Sequence, residues 1–353
     1  MRRIRPIYIL RFLRLLLDPN SNKEQIKTKI IDSQYFWDGI VELGSRHLVL
    51  PAVYGNLKRK NILKLIPDDL EKFLKDIYKK NEERNKKILL QIEFLNELFL
   101  KHNVDHIFLK GSALLLSNKF DVINERMIGD IDILIRKESI LKARDLIVKN
   151  GYKFFNTEMN LTEGLIENKH LIRMIHENHI AAVELHKEVL NGNKIRLLPS
   201  KKLFSEAVEI GRKKILNSKR LIEHIILNWR FNDHGVLKKT LSLRVVYDYI
   251  NLTNSDDINL LGVNRLSLLK FNNYLKIYDY DRTILKNPFD YIFLSKVNNK
   301  NFNVLFNKCL SIINLFTLIP NRILLGLRYP IYFIRIIKNP FLVIRRSIKL
   351  LDD

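Results

Sequence analysis

The feature that most constrains this fold is a pair of aspartates, Asp130 and Asp132, inside the otherwise apolar run Ile128 to Ile135. Alternate residues of a strand share one face, about 6.6 Å apart along it. Two like charges held there are costly unless a cation neutralises them. Hard divalent ions with oxygen ligands are the usual partners, so Mg²⁺ is the first candidate. A solvated strand end or a turn would also explain the pair, and that alternative stays open.

A second apolar run, Ile107 to Leu109, stops at Lys110-Gly111-Ser112 and is followed by the helix-prone residues 113–116. This order predicts a strand, a tight turn and a helix. Backbone N–H groups at such a turn can approach a phosphate. The alternative is that Gly111 only permits the turn and Ser112 caps the helix.

A third strand is predicted over Ile180 to Leu185, and it carries Glu184 between apolar neighbours. His186 lies two residues further on and therefore on the same face as Glu184. Between the run that ends at Ile135 and the one that begins at Ile180, the pattern from Glu138 to Asn150 predicts a helix that ends at Gly151. These elements predict an α+β fold with a small sheet.

The rest of the chain has helical periodicity. We predict an N-terminal helical region (residues 1–104), the core with the strands (105–190), a second helical region (191–290) and a basic, apolar helical tail (291–353). The clearest helices are predicted at Ile7 to Leu17, Glu24 to Ile31, Phe36 to His47, Asp68 to His102, Leu221 to Asn228 and Leu237 to Ile250.

The net charge of +23 comes from 61 Lys and Arg against 38 Asp and Glu, and it lies outside the core. Residues 105–190 have 12 basic and 13 acidic side chains, whereas 291–351 have ten basic and no acidic ones. Such an excess suits nucleic acid, a phosphorylated substrate or an acidic membrane surface. The longest uncharged stretch near the C-terminus is Cys309 to Asn321, which is too short for a membrane-spanning helix of roughly 20 residues.

Several other classes of protein lack their signature here. With Cys309 as the single cysteine, an intramolecular disulfide and a cysteine-based zinc site are excluded, and a reducing compartment is favoured. The sequence contains no P-loop, no G-x-G-x-x-G dinucleotide fingerprint and no G-x-S-x-G elbow.

Taken together, the three strand motifs resemble a known family, the uncharacterised bacterial and archaeal nucleotidyltransferases of the DNA polymerase β superfamily. Weaker blocks of the same family extend the resemblance over roughly residues 36 to 250. The residues that carry it are Lys110-Gly111-Ser112, Arg126 to Ile135, Val183 to His186, Gly44 to His47, Leu50 to Val53, Lys169 to Leu171, Leu243-Arg244 and Tyr247-Asp248.

The resemblance implies a minimal mixed-sheet nucleotidyltransferase core inside a mainly helical body. Asp130, Asp132 and Glu184 would be the catalytic, metal-binding acids, holding two Mg²⁺ ions, with Mn²⁺ as the alternative. Gly111 and Ser112 would hold the triphosphate of an NTP. The implied enzyme transfers a nucleoside monophosphate to an unidentified hydroxyl of a small molecule, a glycan or lipid intermediate, or a protein.

Two basic residues near these motifs, Lys110 and Arg126, are candidates for phosphate contacts. Arg126 has an alternative role, in which it pairs with the carboxylate cluster of Asp130, Asp132 and Glu184 and is purely structural.

A non-catalytic alternative remains: a basic protein that binds nucleic acid or membrane on a nucleotidyltransferase-like scaffold. The tail suits an acidic membrane surface at least as well as nucleic acid, because it is as aliphatic as it is charged. We expect a cytoplasmic location with peripheral membrane association through the tail.

Overall fold

A mixed sheet of seven strands, surrounded by helices, is the centre of the computed structural model, which describes residues 6–32, 37–117, 123–155, 169–255, 260–278 and 288–310. The expected α+β fold is therefore confirmed. The described residues belong to two units, one drawn from Met1–Gly235 with Leu241–Arg282 and the other from Val236–Thr240 with Thr283–Asp353. The whole sheet lies in the first unit.

The four helices predicted in the N-terminal half of the first unit agree with the structure to within a few residues, and the structure adds one that was not predicted, Leu50–Arg59. The bounds of all labelled helices are α1 (Pro6–Leu17), α2 (Lys23–Asp32), α3 (Trp37–Arg46), α4 (Leu50–Arg59), α5 (Asp68–Lys101), α6 (Lys110–Leu116), α7 (Ile140–Lys149), α8 (Ser200–Ser205), α9 (Ser218–Leu227), α10 (Gly235–Lys238), α11 (Leu243–Ser255), α12 (Arg265–Ile277) and α13 (Pro288–Asn298). A π-helical turn, Asn228–Asn232, extends α9.

The sheet runs in the order β3-β4-β5-β2-β1-β7-β6. Its strands are β1 (His106–Phe108), β2 (Asp130–Ile135), β3 (Lys153–Phe154), β4 (Met174–Ile175), β5 (Ala182–His186), β6 (Ala207–Ile210) and β7 (Lys213–Leu216). The central strand β2 is antiparallel to β1 and parallel to β5. Residues 131–135 of β2 are all buried, as is typical of a strand covered on both faces.

Helix α5 positions the segment that leads into β2. Its apolar stripe is buried, but buried asparagines interrupt it and their side chains bond backbone carbonyls of that segment. Asn81 donates to the Asn124 carbonyl (2.5 Å), and Asn85 donates to the carbonyls of Ile123 (2.5 Å) and Arg126 (2.8 Å). These bonds satisfy carbonyls that no strand or helix pairs, so they fix a loop that would otherwise be costly to bury.

Two predictions for residues 200–290 are wrong. The region was expected to be helical throughout, yet β6 and β7 form a hairpin at the end of the sheet, joined at Gly211 with a φ of 62°. Its residues are largely half-buried or exposed, so the hairpin lacks the apolar alternation by which strands are recognised. The single helix expected from Leu237 to Ile250 is divided into α10 and α11.

In the second unit, α13 is followed by a helical segment over residues 300–310. The Lys296 ammonium donates to the Lys238 carbonyl (2.5 Å) and to Asn307 Oδ1 (3.1 Å). Most of the predicted basic tail, residues 311–353, lies outside the described residues. Among the residues that are described, no helix combines the length and apolar character needed to cross a membrane.

Candidate active site

The three predicted acids lie on two neighbouring parallel strands. In the register of β2 and β5, Asp132 is opposite Glu184 and Asp130 is opposite Ala182. His186, two residues beyond Glu184, reaches the same group, because its Nε2 lies 2.7 Å from Asp132 Oδ1. The parallel pairing thus brings together carboxylates that are more than 50 residues apart in the sequence.

Asp132 is the most deeply buried of the three acids, with 1% of its surface exposed. Its Oδ1 accepts hydrogen bonds from Lys110 Nζ (2.6 Å) and from His186 Nε2 (2.7 Å). Burial by itself favours the neutral acid, but the Lys110 charge and the His186 hydrogen bond outweigh it and hold the pKa of Asp132 well below its usual value. Asp132 is therefore a permanently ionised group at neutral pH.

Lys110 reaches Asp132 through a strained backbone. The turn between β1 and α6 places Lys110 in the left-handed region, with a φ of 47°, which is unusual for a residue with a side chain. Such strain costs on the order of 1–3 kcal/mol and concentrates at functional sites. Gly111 does not supply the positive φ at this turn. A Cβ added there would lie 3.2 Å from the Ile128 side chain, so a larger residue would press on the entrance to β2.

A residue that the sequence analysis missed, Arg173, joins the remaining carboxylates. Its Nη2 donates to Asp130 Oδ2 (3.1 Å) and to Glu184 Oε1 (3.0 Å). For Glu184, burial is outweighed by His186 and by His170, which lower its pKa to about 2. For Asp130, burial and the neighbouring Asp132 charge raise the pKa above its usual value. The acids are thus electrostatically unequal, and Asp130 accepts a proton most readily.

The donor set fits a divalent cation. Asp132, Glu184 and His186 are all buried and each offers one ligand atom, with these atoms within 4.8 Å of one another. Two ionised carboxylates and an imidazole are suitable ligands for first-row divalent metals as well as for Mg²⁺. The three described residues with the most compact set of ligand atoms are therefore Asp132, Glu184 and His186, whereas the sequence predicted Asp130 in the place of His186. Asp130 lies beside this group and is half-buried, with 31% of its side chain exposed.

A cavity of about 200 Å³ opens next to the acids. One part of its wall comes from the sheet and from α6, and the other part comes from α9, the π-helical turn and α11. The residues of the wall that concern the chemistry are Lys110, Gly111, Arg126, Gly129, Asp130, Asp132, His224, Asn228, Asp233, Arg244 and Asp248. The helical region after residue 217 therefore completes the site that the strands begin.

Comparison with known proteins agrees with this architecture. The sequence model of a family described as "Uncharacterised nucleotidyltransferase" matches residues 33–270, about two thirds of the chain. The chain belongs to this family. No curated protein matches it. The matched residues include the whole sheet and the helices α6, α9 and α11 that line the cavity.

The four residues predicted to contact phosphate differ in their position relative to the cavity. Lys110 and Gly111 line the cavity, as does Arg126. Ser112 is fully buried and donates to the Leu109 carbonyl (2.7 Å), and neither it nor Glu184 is among the described residues of the cavity wall.

Arg126 forms a buried, bidentate ion pair with Asp248 of α11, with its Nε 2.6 Å from Oδ1 and its Nη2 2.8 Å from Oδ2. Arg126 is therefore paired, as one of its two expected roles required, but its partner is Asp248 and not the cluster of strand acids. The pair ties the entrance of β2 to a helix 122 residues further along the chain.

Two cations of the site had no role in the sequence analysis, although both lie in blocks typical of the family. Arg244 lines the cavity from α11. Lys169 lies just before β4, where burial and the nearby Lys110 charge lower its pKa to about 8. The only sequence signal for either residue was its position in a short family-like block, because neither belongs to a strand or turn motif.

His224 also lines the cavity and is missed by sequence patterns, since it occurs within an ordinary amphipathic helix. Its burial, with further contributions from Lys110 and Lys169, lowers its pKa to about 3. A neutral imidazole therefore faces the same space as the ionised Asp132 at physiological pH.

Proposed function

We propose that this protein is a Mg²⁺-dependent nucleotidyltransferase that transfers a nucleoside monophosphate from an NTP to a hydroxyl acceptor. One observation carries the proposal: Asp130, Asp132 and Glu184 converge from two parallel strands beside a cavity whose wall also holds cations. Clustered carboxylates suit a metal-bound phosphate, and neighbouring cations suit the remaining phosphate charge. Membership of the nucleotidyltransferase family supports the same reaction class.

The proposed roles of the site residues follow from their charges and pKa values. Asp132 and Glu184, with lowered pKa values, and the adjacent His186 would hold the cation, and Asp130 would share it from the cavity wall. When bound, a divalent ion neutralises phosphate charge and makes an acceptor hydroxyl easier to deprotonate. Lys110 keeps Asp132 ionised and oriented, while Arg173 neutralises Asp130 and Glu184.

In the proposed transfer, the acceptor oxygen forms a bond to the α-phosphorus of the NTP. The bond between that phosphorus and the α,β-bridging oxygen breaks, and both electrons stay on the departing pyrophosphate. The hydroxyl proton passes to solvent. Catalysis is then mainly a matter of positioning and of charge neutralisation, as in other phosphoryl transfers. Mn²⁺ could replace Mg²⁺, since the imidazole of His186 suits it.

The decisive experiment uses the position of a radioactive label. The purified chain is incubated with cell extract, Mg²⁺ and each of the four NTPs, labelled with ³²P either at the α or at the γ position. We expect label to enter an acceptor fraction from the α position only, with release of pyrophosphate. Mass spectrometry of the labelled fraction then identifies the acceptor as a protein, a small molecule or a glycan or lipid intermediate.

The double variant Asp130→Asn/Asp132→Asn should lose this transfer. A matched control is Asp145→Asn on α7, which also removes an aspartate charge but whose side chain is 55% exposed and is not among the described residues of the cavity wall. Transfer from the γ position, or equal transfer by the wild type and the double variant, would contradict the proposal.

The charge of the tail favours a second, non-catalytic candidate function, binding to an acidic surface. Residues 291–351 have ten basic and no acidic side chains. If this function is correct, the full chain should sediment with anionic liposomes, and added salt should weaken the interaction because each exposed basic residue contributes about 1 kcal/mol through a screened field. Binding to RNA but not to liposomes at the same ionic strength would instead identify nucleic acid as the partner.

A further inference from the structure

One arginine of the cavity wall has no partner among the residues that the structure describes. Arg244, the second residue of α11, is half-buried, and its guanidinium makes no hydrogen bond or ion pair with a described residue. Its backbone N–H donates to Ser242 Oγ (3.3 Å). The neighbouring Arg126 provides the contrast, because Asp248 neutralises it with two hydrogen bonds.

The surroundings of Arg244 do not compensate its charge fully. Burial and the nearby Arg126 lower the pKa of Arg244, and the smaller effects of Asp248, Asp130 and Asp233 act in the opposite direction. Buried charges are normally paired, since an unpaired one loses hydration and gains nothing in return. An unpaired guanidinium facing a cavity is therefore explained most simply by an anion that binds there.

The size of the cavity limits which part of a nucleotide this anion can be. Sites for a whole drug-sized ligand are usually ~300–1,000 Å³, whereas this cavity has about 200 Å³. Its wall carries three cations, Lys110, Arg126 and Arg244. It also carries four aspartates, and no described residue of the wall is a Phe, Tyr or Trp that could stack on a base. A chain of phosphates with a divalent ion matches the volume and this mixture of charges, and the fork of a guanidinium matches phosphate oxygens in a bidentate manner.

We propose that Arg244 binds the β- and γ-phosphates of the NTP and neutralises the pyrophosphate as it leaves. This inference rests on the proposed nucleotidyl transfer, in which the α-phosphorus reacts beside Asp130 and Asp132. The bond from the α-phosphorus to the bridging oxygen breaks, and the negative charge that collects on the departing pyrophosphate meets the guanidinium. Arg244 contributes to the reaction from α11, outside the strand and turn motifs.

Calorimetry with inorganic tripolyphosphate in the presence of Mg²⁺ tests the inference without requiring turnover. Arg244→Gln should weaken tripolyphosphate binding by about 10- to 100-fold, the range expected for hydrogen bonds between charged groups. The tripolyphosphate affinity of Arg244→Lys should lie between those of the wild type and Arg244→Gln, because lysine keeps the charge and loses the two-pronged geometry of the guanidinium. The matched control is Arg265→Gln at the start of α12, an exposed arginine outside the cavity wall, which should bind like the wild type.

The apo stability of the variants gives an independent readout. Since Arg244 has no partner to lose, Arg244→Gln should have an unfolding temperature equal to or above that of the wild type. A clearly lower temperature would show that the guanidinium is paired in the folded protein and would overturn the inference. Equal tripolyphosphate affinity of Arg244→Gln and the wild type would overturn it as well.

The outcomes also separate this inference from the proposed function. Undiminished nucleotidyl transfer by Arg244→Gln would refute the role of Arg244 and leave the function standing. If the wild type transfers no nucleotide but binds tripolyphosphate in an Arg244-dependent way, the anion site is correct and the nucleotidyltransferase function is wrong.

Discussion

The ion pair between Arg126 and Asp248 offers a quantitative test of how the helical region supports the site. Asp248→Asn would leave the Arg126 guanidinium with a neutral amide in place of a carboxylate. The side chains of the pair are only 10% and 6% exposed, so water replaces little of the lost interaction. Breaking a buried pair by removing one partner typically costs about 3–5 kcal/mol.

We expect a loss of about 3 kcal/mol, at the lower end of that range. Arg126 also donates to the Met127 carbonyl and faces the cavity, so it keeps one partner and some access to solvent. If the free energy of unfolding falls by about 3 kcal/mol for each molar increase in urea, this loss lowers the urea concentration at the unfolding midpoint by about 1 M. The free guanidinium would then stand beside Arg244, so added tripolyphosphate should restore more stability to Asp248→Asn than to the wild type.

Tryptophan fluorescence during urea unfolding is a suitable assay, because Trp37 and Trp229, the two tryptophans of the chain, both belong to the first unit. Glu42→Gln, which breaks an exposed pair with Arg46, serves as the control and should leave the midpoint nearly unchanged. A loss below about 1 kcal/mol for Asp248→Asn would refute the reasoning, since that is the value of a solvated pair.

Three further predictions follow from the charges of the site. Asp130→Asn should keep or raise the stability of the protein, because it removes a carboxylate that is repelled by Asp132 and has a raised pKa. Asp132→Asn should lower the stability, because the fold favours the ionised form of this side chain. Thermal unfolding of each single variant measures both effects. Glu184, whose pKa is lowered to about 2, should stabilise the protein above pH 4.5 and cease to do so as the pH falls towards 2, so acid unfolding should be less steep in Glu184→Gln. Lys169, with a pKa of about 8, should lose its charge between pH 7 and 9. ATP affinity should therefore fall over that interval in the wild type but not in Lys169→Arg, whose guanidinium stays protonated. A fall of ATP affinity in Lys169→Arg equal to that in the wild type would exclude Lys169 from the phosphate site.

Local patterns were sufficient to predict the strands on which the candidate acids lie. The apolar run of residues 131–135 was expected to be a strand and is part of β2, and the strand, turn and helix around Lys110-Gly111-Ser112 are β1 and α6. A buried strand is recognisable because it must be continuously apolar, so charged residues within it stand out. The roles of Asp130, Asp132 and Glu184 in catalysis stay predictions.

The edge hairpin shows why other elements could not be predicted in the same way. β6 and β7 are held by pairing with each other and with β1, and much of their surface is exposed. Only Ile215 and Leu216 of the hairpin are buried, and because they are consecutive they produce no alternation of apolar and polar residues. The one local signal was Gly211-Arg212, since a glycine in a two-residue turn is typical of hairpins.

The sequence by itself determined which residue types lie on which strand or turn, because those choices depend on neighbours within a few positions. It also determined the basic excess outside the core. Only the tertiary structure decided which charged side chains of the site pair with each other. Arg173 bridges Asp130 and Glu184, and Arg126 pairs with Asp248. Arg244 faces the cavity without a partner among the residues that the structure describes. Whether an ion pair forms depends on how segments that are 11 to 122 residues apart in these pairs pack together, and nothing in the local pattern of either segment specifies that distance.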